Sequence, residues 1–308
     1  MLDAVDAALI RELQRDGRAT FQALADRVGL SRTAVRARVQ QLLDARVVGV
    51  VGIVHAEVAG LSALGHVSVQ LDGPARVAVA AIAKRDAATF VSLTAGRAPV
   101  VVELRARDDV ALAHELNAVR DLPGVSGAEV FRCVEVIKDL TLDARTPQGV
   151  ALDPIDWRLV QQLQQNGRTS YAQLARTVGL SQAAARARVV RLLDGGAVRV
   201  TALVDSTSLG VSENIGFGLR VRGDADAAGR RIAELSGIQT VLAGFGRFDV
   251  VCGATAADRA GLVETLEAVR SSGYVRHMEA WQHLSVVKES YEVDVTNVPG
   301  YLPAAVAG

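Results

Sequence analysis

The stretch LDAVDAALIRELQRDGRATFQALADRVGLSRTAVRARVQQLLDARVVGV (2–50) returns 150 residues later as LDPIDWRLVQQLQQNGRTSYAQLARTVGLSQAAARARVVRLLDGGAVRV (152–200). No gap is needed, and 24 of 49 positions are identical. The register carries on to Val136 and Lys138 against Val286 and Lys288, with 24 of 88 matches over 51–138 and 201–288. A fixed offset of this kind marks a tandem duplication, so each half is expected to fold as the same unit. The expected division is a head at 1–50, a back module at 51–138, a linker at 139–151, a second head at 152–200, a second back module at 201–289 and a tail at 290–308. Pro147 and Gly149, with no sustained apolar period around them, carry the linker reading. Pro299, Gly300 and Pro303 have no counterpart in the first half, and the tail is expected to be poorly ordered.

The length of 308 residues is about twice a prior of roughly 150 per domain. Half the residues are hydrophobic but aromatics are only 4%, so Ala, Val and Leu must fill the cores. No run of about 18 apolar residues occurs, and Asp3 and Asp6 stand where a secretory signal would be basic. Neither a membrane span nor a secreted protein is expected. Cys133 and Cys252 form no disulfide framework and no CxxC, which fits a reducing cytoplasm. His55, His66, His114, His277 and His283 do not cluster, and no GxGxxG lies between a strand and a helix, so no metal and no cofactor is expected. The net charge of zero conceals an uneven distribution: residues 1–50 carry +2, residues 151–200 carry +4, and the remainder −6. Two basic modules on acidic ones point to nucleic acid despite the neutral average.

Within each head the apolar spacing predicts three helices. Leu9, Ile10 and Leu13 follow Asp3 and Asp6, whose charge suits a helix N-terminus; Gly17 ends that helix. Phe21, Leu24, Ala25 and Val28 predict a second, short helix ended by Gly29. Ser31 is a good N-cap for a third helix from Arg32 to about Asp44. Gly167, Tyr171, Leu174, Ala175, Gly179 and Ser181 repeat the pattern. Two helices joined by a short Gly-containing turn make a helix-turn-helix. On the third helix Val35, Val39 and Leu42 face inward, while Thr33, Arg36, Ala37 and Gln40 face out, with Arg32 near its start. That outward face is what a recognition helix offers to the major groove. Arg36 suits a bidentate contact to guanine; Arg38, on the flank, faces either a phosphate or an acidic neighbour. Gln182, Arg186, Arg188 and Arg191 take the corresponding part of the second helix. The second copy has fewer groups able to read bases, since Gln182 and Ala183 replace Arg32 and Thr33, and Val190 replaces Gln40. An imperfectly palindromic operator is the expectation.

Behind each head, VVGVVGIV (47–54) and VRVTALV (198–204) read as strands tethering the modules. Strand-like 65–72, helical 75–85, strand-like 88–95 and 100–106, helical 109–121 and strand-like 125–138 then give the order βαββαβ. This order predicts a ferredoxin-like α+β domain with both helices on one face of an antiparallel sheet. The other face would expose a large apolar area unless a second copy covered it, and the fused repeat is the candidate.

With ALADRVGLSRTAVRARVQQLL and QLARTVGLSQAAARARVVRLL each followed by βαββαβ, the chain resembles the Lrp/AsnC (feast/famine) transcriptional regulators over nearly its whole length. The resemblance implies an α+β fold of two winged-type helix-turn-helix domains and two ferredoxin-like RAM-type domains in tandem duplication. It also implies double-stranded DNA as partner, an amino acid or related metabolite as effector, association of the chains into homo-oligomers and a cytoplasmic, nucleoid-associated location. The family has one unit per chain; this chain carries a dimer's worth. The family's effector site lies near a Gly-x-aromatic-Asp hairpin, which here is Gly246-Arg247-Phe248-Asp249 preceded by Gly244 and Phe245. Free amides and Arg247 suit a carboxylate, and Asp249 an ammonium group. The alternative for the same residues is a hairpin turn with a stabilising Asp. The first half has Gly96-Arg97-Ala98-Pro99 instead, without the ring and the acid, so a weakened or absent site is expected there. Glu129 and Glu279 match across the repeat and suit an ion pair as well as an effector contact. Siroheme decarboxylases share this kind of scaffold, but their His-Asn-Tyr and Asn-Met-Trp-Phe stretches do not occur here.

Overall fold

A computed structural model describes residues 2–139, 147, 150–204 and 213–293. Most of the expected linker, and the tail from 294 on, lie outside the described residues. The first half runs α1 (Ala4–Arg15), α2 (Phe21–Val28), α3 (Arg32–Asp44), β1 (Val48–Val54), β2 (Ala63–Leu71), α4 (Ala75–Ala83), β3 (Ala88–Ala95), β4 (Val100–Ala106), α5 (Asp109–Arg120) and β5 (Val125–Asp139). The second runs α6 (Pro154–Gln165), α7 (Tyr171–Val178), α8 (Gln182–Asp194), β6 (Val198–Val204), β7 (Glu213–Val221), α9 (Ala225–Ala233), β8 (Ile238–Gly246), β9 (Val250–Ala256), α10 (Arg259–Arg270) and β10 (Val275–Glu289). The chain divides into two compact units, one of Met1–Gly60, Thr141–Gly210 and Glu292–Gly308, the other of Leu61–Leu140 and Val211–Tyr291. The first head therefore extends about ten residues past the boundary expected at 50, because β1 belongs with the heads.

In the first unit the heads are built by local chemistry. Asp3 and Asp6 form a reciprocal capping box at α1, and Asp153 and Asp156 the same at α6. Gly29 and Gly179 end α2 and α7 in the left-handed region, at φ of 71° and 73°. Leu9, Ile10, Leu13, Leu24, Val35 and Val39 are buried together. Strands β1 and β6 pair antiparallel from Val48 against Val204 to Val54 against Val198, so the two halves meet within one chain. Each head then packs on the strand of the other half, α1 on β6 and α6 on β1. The Gly17 amide donates to the Val200 carbonyl at 2.9 Å and the Gly167 amide to the Val50 carbonyl at 2.8 Å. These glycines are needed for close approach. A Cβ on Gly167 would stand 2.5 Å from Cγ1 of Val200 and 3.0 Å from the carbonyl carbon of Val51.

A pair of arginines completes the exchange. Arg18 donates to the carbonyls of Gly167 (2.5 Å) and Thr169 (3.1 Å) and lies 4.6 Å over the Tyr171 ring. Arg168 donates to Gly17 (2.7 Å) and Ala19 (3.0 Å) and lies 4.9 Å over Phe21. Guanidinium groups suit this role because they combine several donors with a face that stacks on aromatic rings.

The second unit is a closed antiparallel barrel in the order β10-β3-β4-β2-β5-β8-β9-β7. Within each half the order of the four strands is that of a ferredoxin-like sheet. Helices α4 and α5 cover one face through Val67, Val69, Val79, Ile82, Val102 and Val119. The opposite faces meet around Leu64, Val101, Phe131, Leu242, Phe248, Val251 and Trp281, so the fused copy covers the face that would otherwise be bare. The long last strands close the barrel: β5 runs on from β2 to pair with β8, and β10 from β7 to pair with β3. Lys138 donates to the Ala233 carbonyl and Lys288 to the Arg85 carbonyl, each at 2.8 Å and each reaching into the other half. This accounts for the lysine kept in register at the end of both repeats.

Polar residues also face the lumen. His66 is 5% exposed and stacks on Trp281 with ring centroids 5.2 Å apart. Burial, then the charges of His283 and Arg247, push its pKa down to about 3. Burial likewise pushes His283 down to about 4, and pushes the Glu103 carboxyl up to about 7.

Two outcomes follow from this packing. Gly167→Ala is expected to cost about 1–3 kcal/mol through overpacking against the β1–β6 ladder, read as a lower Tm in thermal unfolding; an unchanged Tm would contradict the close approach. A histidine whose folded pKa lies below its ordinary value contributes stability above pH 6.5 that is lost as pH falls toward 3. His66→Leu should therefore lose less stability than wild type between pH 7 and 4 in denaturant titrations. Parallel curves for the two proteins would contradict burial of a neutral imidazole.

Candidate nucleic-acid interface and effector site

Helices α3 and α8 are each capped by a serine hydroxyl: Ser31 accepts from the Ala34 amide and Ser181 from the Ala184 amide, both at 3.2 Å. Both side chains serve as N-caps, the role read for Ser31 from the sequence. Val35, Val39 and Leu42 are buried, as are Ala185, Val189 and Leu192. Arg32, Thr33, Arg36, Ala37 and Gln40 are exposed on one face of α3; Gln182, Ala183, Arg186 and Ala187 are exposed on α8, with Val190 half-buried. Arg32, Arg36 and Arg186 make no ion pair among the described residues, which leaves their guanidinium groups available for bases or phosphates. Gln40 is partly engaged, its amide donating to Asp44 at 2.8 Å.

The flanking arginines behave differently. Arg38 donates to Asp3 (2.7 Å) and Asp6 (2.8 Å), and Arg188 to Asp153 (2.6 Å) and Asp156 (2.9 Å). Arg191 also grips Asp156, whose side chain is buried. The Asp6 amide, and then Arg38, hold the Asp3 carboxyl below the usual carboxylate range. Of the two partners open to Arg38 on sequence grounds, the acidic neighbour is the one it has. In this structure Arg38, Arg188 and Arg191 tie the recognition helix to the capping box of the first helix. The sequence carried the signal, because the paired aspartates recur at the 150-residue offset.

The charged groups of the β8–β9 hairpin are likewise engaged within the chain. Arg247 pairs with both Glu129 and Glu279, the latter at 2.7 Å, and its side chain is only 8% exposed. Asp249 accepts from Arg220 at 2.8 Å and from the Val221 amide at 2.9 Å. The amides expected to be free are taken: Gly244 donates to the Asp249 carbonyl (3.0 Å) and Arg247 to the Val130 carbonyl (3.2 Å). Phe248 is buried against Trp281 and Gly218, whereas Phe245 points outward and Gly246 turns at φ 112°. Arg247 and Asp249 thus do not offer a free cation and anion to a ligand. Asp249 is the stabilising hairpin acid of the alternative reading, and Arg247 takes both candidate glutamates. Arg97 of the first half is 63% exposed and stands 3.9 Å from Glu129 and 4.0 Å from Glu279, outside the tight pairing.

His66 and Trp281 are both buried. The further feature is that they share one lumen with Arg247 and Phe248 (Arg247 5.1 Å over the Phe248 ring). The period-two alternation of 63–71 put His66 on the face opposite Val67 and Val69; only barrel closure brings Trp281 to it.

The AsnC-type helix-turn-helix domain matches residues 2–43 and again 152–193. The transcriptional regulator Rv2324 of Mycobacterium tuberculosis is 30% identical over 140 residues, covering 44% of this chain and 93% of its own. Regulator FL11 of Pyrococcus abyssi is 26% identical over 142 residues, covering 46% of this chain and 94% of its own. The solved structure of the siroheme decarboxylase NirDL aligns over 92% of each chain with a TM-score of 0.63 at 14% identity, a likeness of fold alone. Each regulator corresponds to about one half of the present chain. The chain belongs to the Lrp/AsnC family of helix-turn-helix transcriptional regulators, with two copies of the family unit in one polypeptide.

Proposed function

We propose that the chain binds double-stranded DNA sequence-specifically with both heads, and that a small-molecule effector, an amino acid or related metabolite, modulates that binding. The observation that carries this reading is the pair of exposed recognition faces, on α3 and α8, held in one unit by the β1–β6 ladder. Two linked heads engage major grooves about one helical turn, or a multiple, apart. The first head reads its half-site more strictly, since Arg32, Thr33 and Gln40 oppose Gln182, Ala183 and Val190. Arg36 and Arg186 are the shared base-reading residues. The chain acts by binding and not by catalysis in this account, in keeping with relatives named as transcriptional regulators. It works on the nucleoid, and further association of these pseudo-dimeric chains follows the habit of the family.

The heads' roles separate in one set of variants. Fluorescence anisotropy on a duplex selected from a random pool should show Arg36→Ala losing about 1–3 kcal/mol of binding, with relaxed preference in one half-site and an unchanged Tm. Arg186→Ala should relax the other half-site less. Arg38→Ala should lower Tm, because it unties α3 from the capping box. Equal, less than twofold effects of Arg36→Ala and Arg186→Ala would contradict base reading by these helices.

A further inference from the structure

Three buried side chains inside the barrel carry polar atoms with no hydrogen-bond partner among the described residues: both ring nitrogens of His66, Nε1 of Trp281 and Nε of Arg247. Buried donors and acceptors in native proteins are nearly always paired, so a cluster of unpaired ones calls for a partner from outside the chain. These form one contiguous group. His66 stacks on Trp281, Trp281 stacks on Phe248 at 6.0 Å, and Arg247 lies over Phe248.

The group is built once, although the barrel is built of two similar halves. The counterpart of His66 is Gly216, and a Cβ there would collide with the Trp281 indole. The counterpart of Phe248 is Ala98. His66 of the first half thus faces the Trp281 and Phe248 rings of the second. An eight-stranded barrel interior is either filled by side chains or holds one small ligand.

We infer that this lumen, before His66 and Trp281, seats the effector, and that the guest is a small zwitterion of the α-amino-acid type. The inference rests on the effector reading above and moves the site from the outside of the hairpin to its inner side. The Trp281 N–H calls for an acceptor oxygen, which a carboxylate supplies. His66 offers one donor and one acceptor, because its imidazole is neutral. Arg97 and Arg247 balance Glu129 and Glu279 in charge, so a guest of zero net charge leaves the balance intact. Arg97 and Glu129 are exposed enough, at 63% and 49%, to meet the guest's two charges on the way in.

Only two tryptophans exist, and Trp157 lies in the second head. The full chain labelled with 5-fluorotryptophan thus gives two fluorine NMR signals, assigned with Trp281→Phe. Each of the twenty L-amino acids is titrated against this protein and, in parallel, against its complex with the selected duplex. An amino acid that changes DNA affinity is expected to shift the Trp281 signal with the same midpoint. His66→Phe should abolish both responses, and His66→Gln should retain part of them; each variant's Tm is checked beside wild type. A changed DNA affinity with an unmoved Trp281 signal, or with the full response in a folded His66→Phe, overturns the lumen site and leaves the effector reading standing. A Trp281 shift with no effect on DNA supports the site and overturns its regulatory role. If no amino acid does either, both fall.

Discussion

Everything in the heads depends on one antiparallel ladder, β1 against β6, and on the exchange it imposes. Neither head has a complete floor of its own: Val200 and Ala202 of the second half close the core of the first, and α6 lies on β1. The reciprocal Arg18 and Arg168 contacts and the glycines at 17 and 167 are consequences of that exchange. They exist to let two turns approach a shared ladder closely and to satisfy the carbonyls left there. The barrel repeats the logic with Lys138 and Lys288, each spent on a helix end of the other half. A chain of this kind carries its partner with it, so pairing of the halves does not depend on protein concentration.

Fusion also frees the two halves to diverge, and the recognition face and the barrel lumen are among the places that do. The cores keep Leu9, Leu13, Leu24 and Val39 as Leu159, Leu163, Leu174 and Val189. The exposed face of the recognition helix changes at 32, 33 and 40, and the lumen changes at 66, 98 and 131. A homodimer cannot build an asymmetric operator reader or a site made once per pair. This chain can.

The helices, the strands and their order were legible because each element has its own period and the 150-residue offset repeats it. The cap at Ser31, the stop at Gly29 and the βαββαβ order stand where expected. What periodicity could not supply was long-range partnership. Arg38 reaches Asp3 across 35 residues, and Arg247 reaches Glu129 across 118, separations over which a period names no partner. The paired glutamates and aspartates had been visible as matches, but a match names no partner. Barrel closure was hidden for a related reason: β5 and β10 read as single strands, and nothing in their alternation says that each changes neighbours halfway along, where the bulges are.

On the proposed function, the two heads of one chain read one duplex unequally. Selection of binding sites from a random duplex pool, with the stoichiometry of the winning complexes measured, tests it most directly. Unequal reading gives two half-sites separated by about one helical turn or a multiple, one strongly and one weakly specified, bound with both heads of each chain engaged. A single half-site, two equal ones, or no enrichment at all would contradict it.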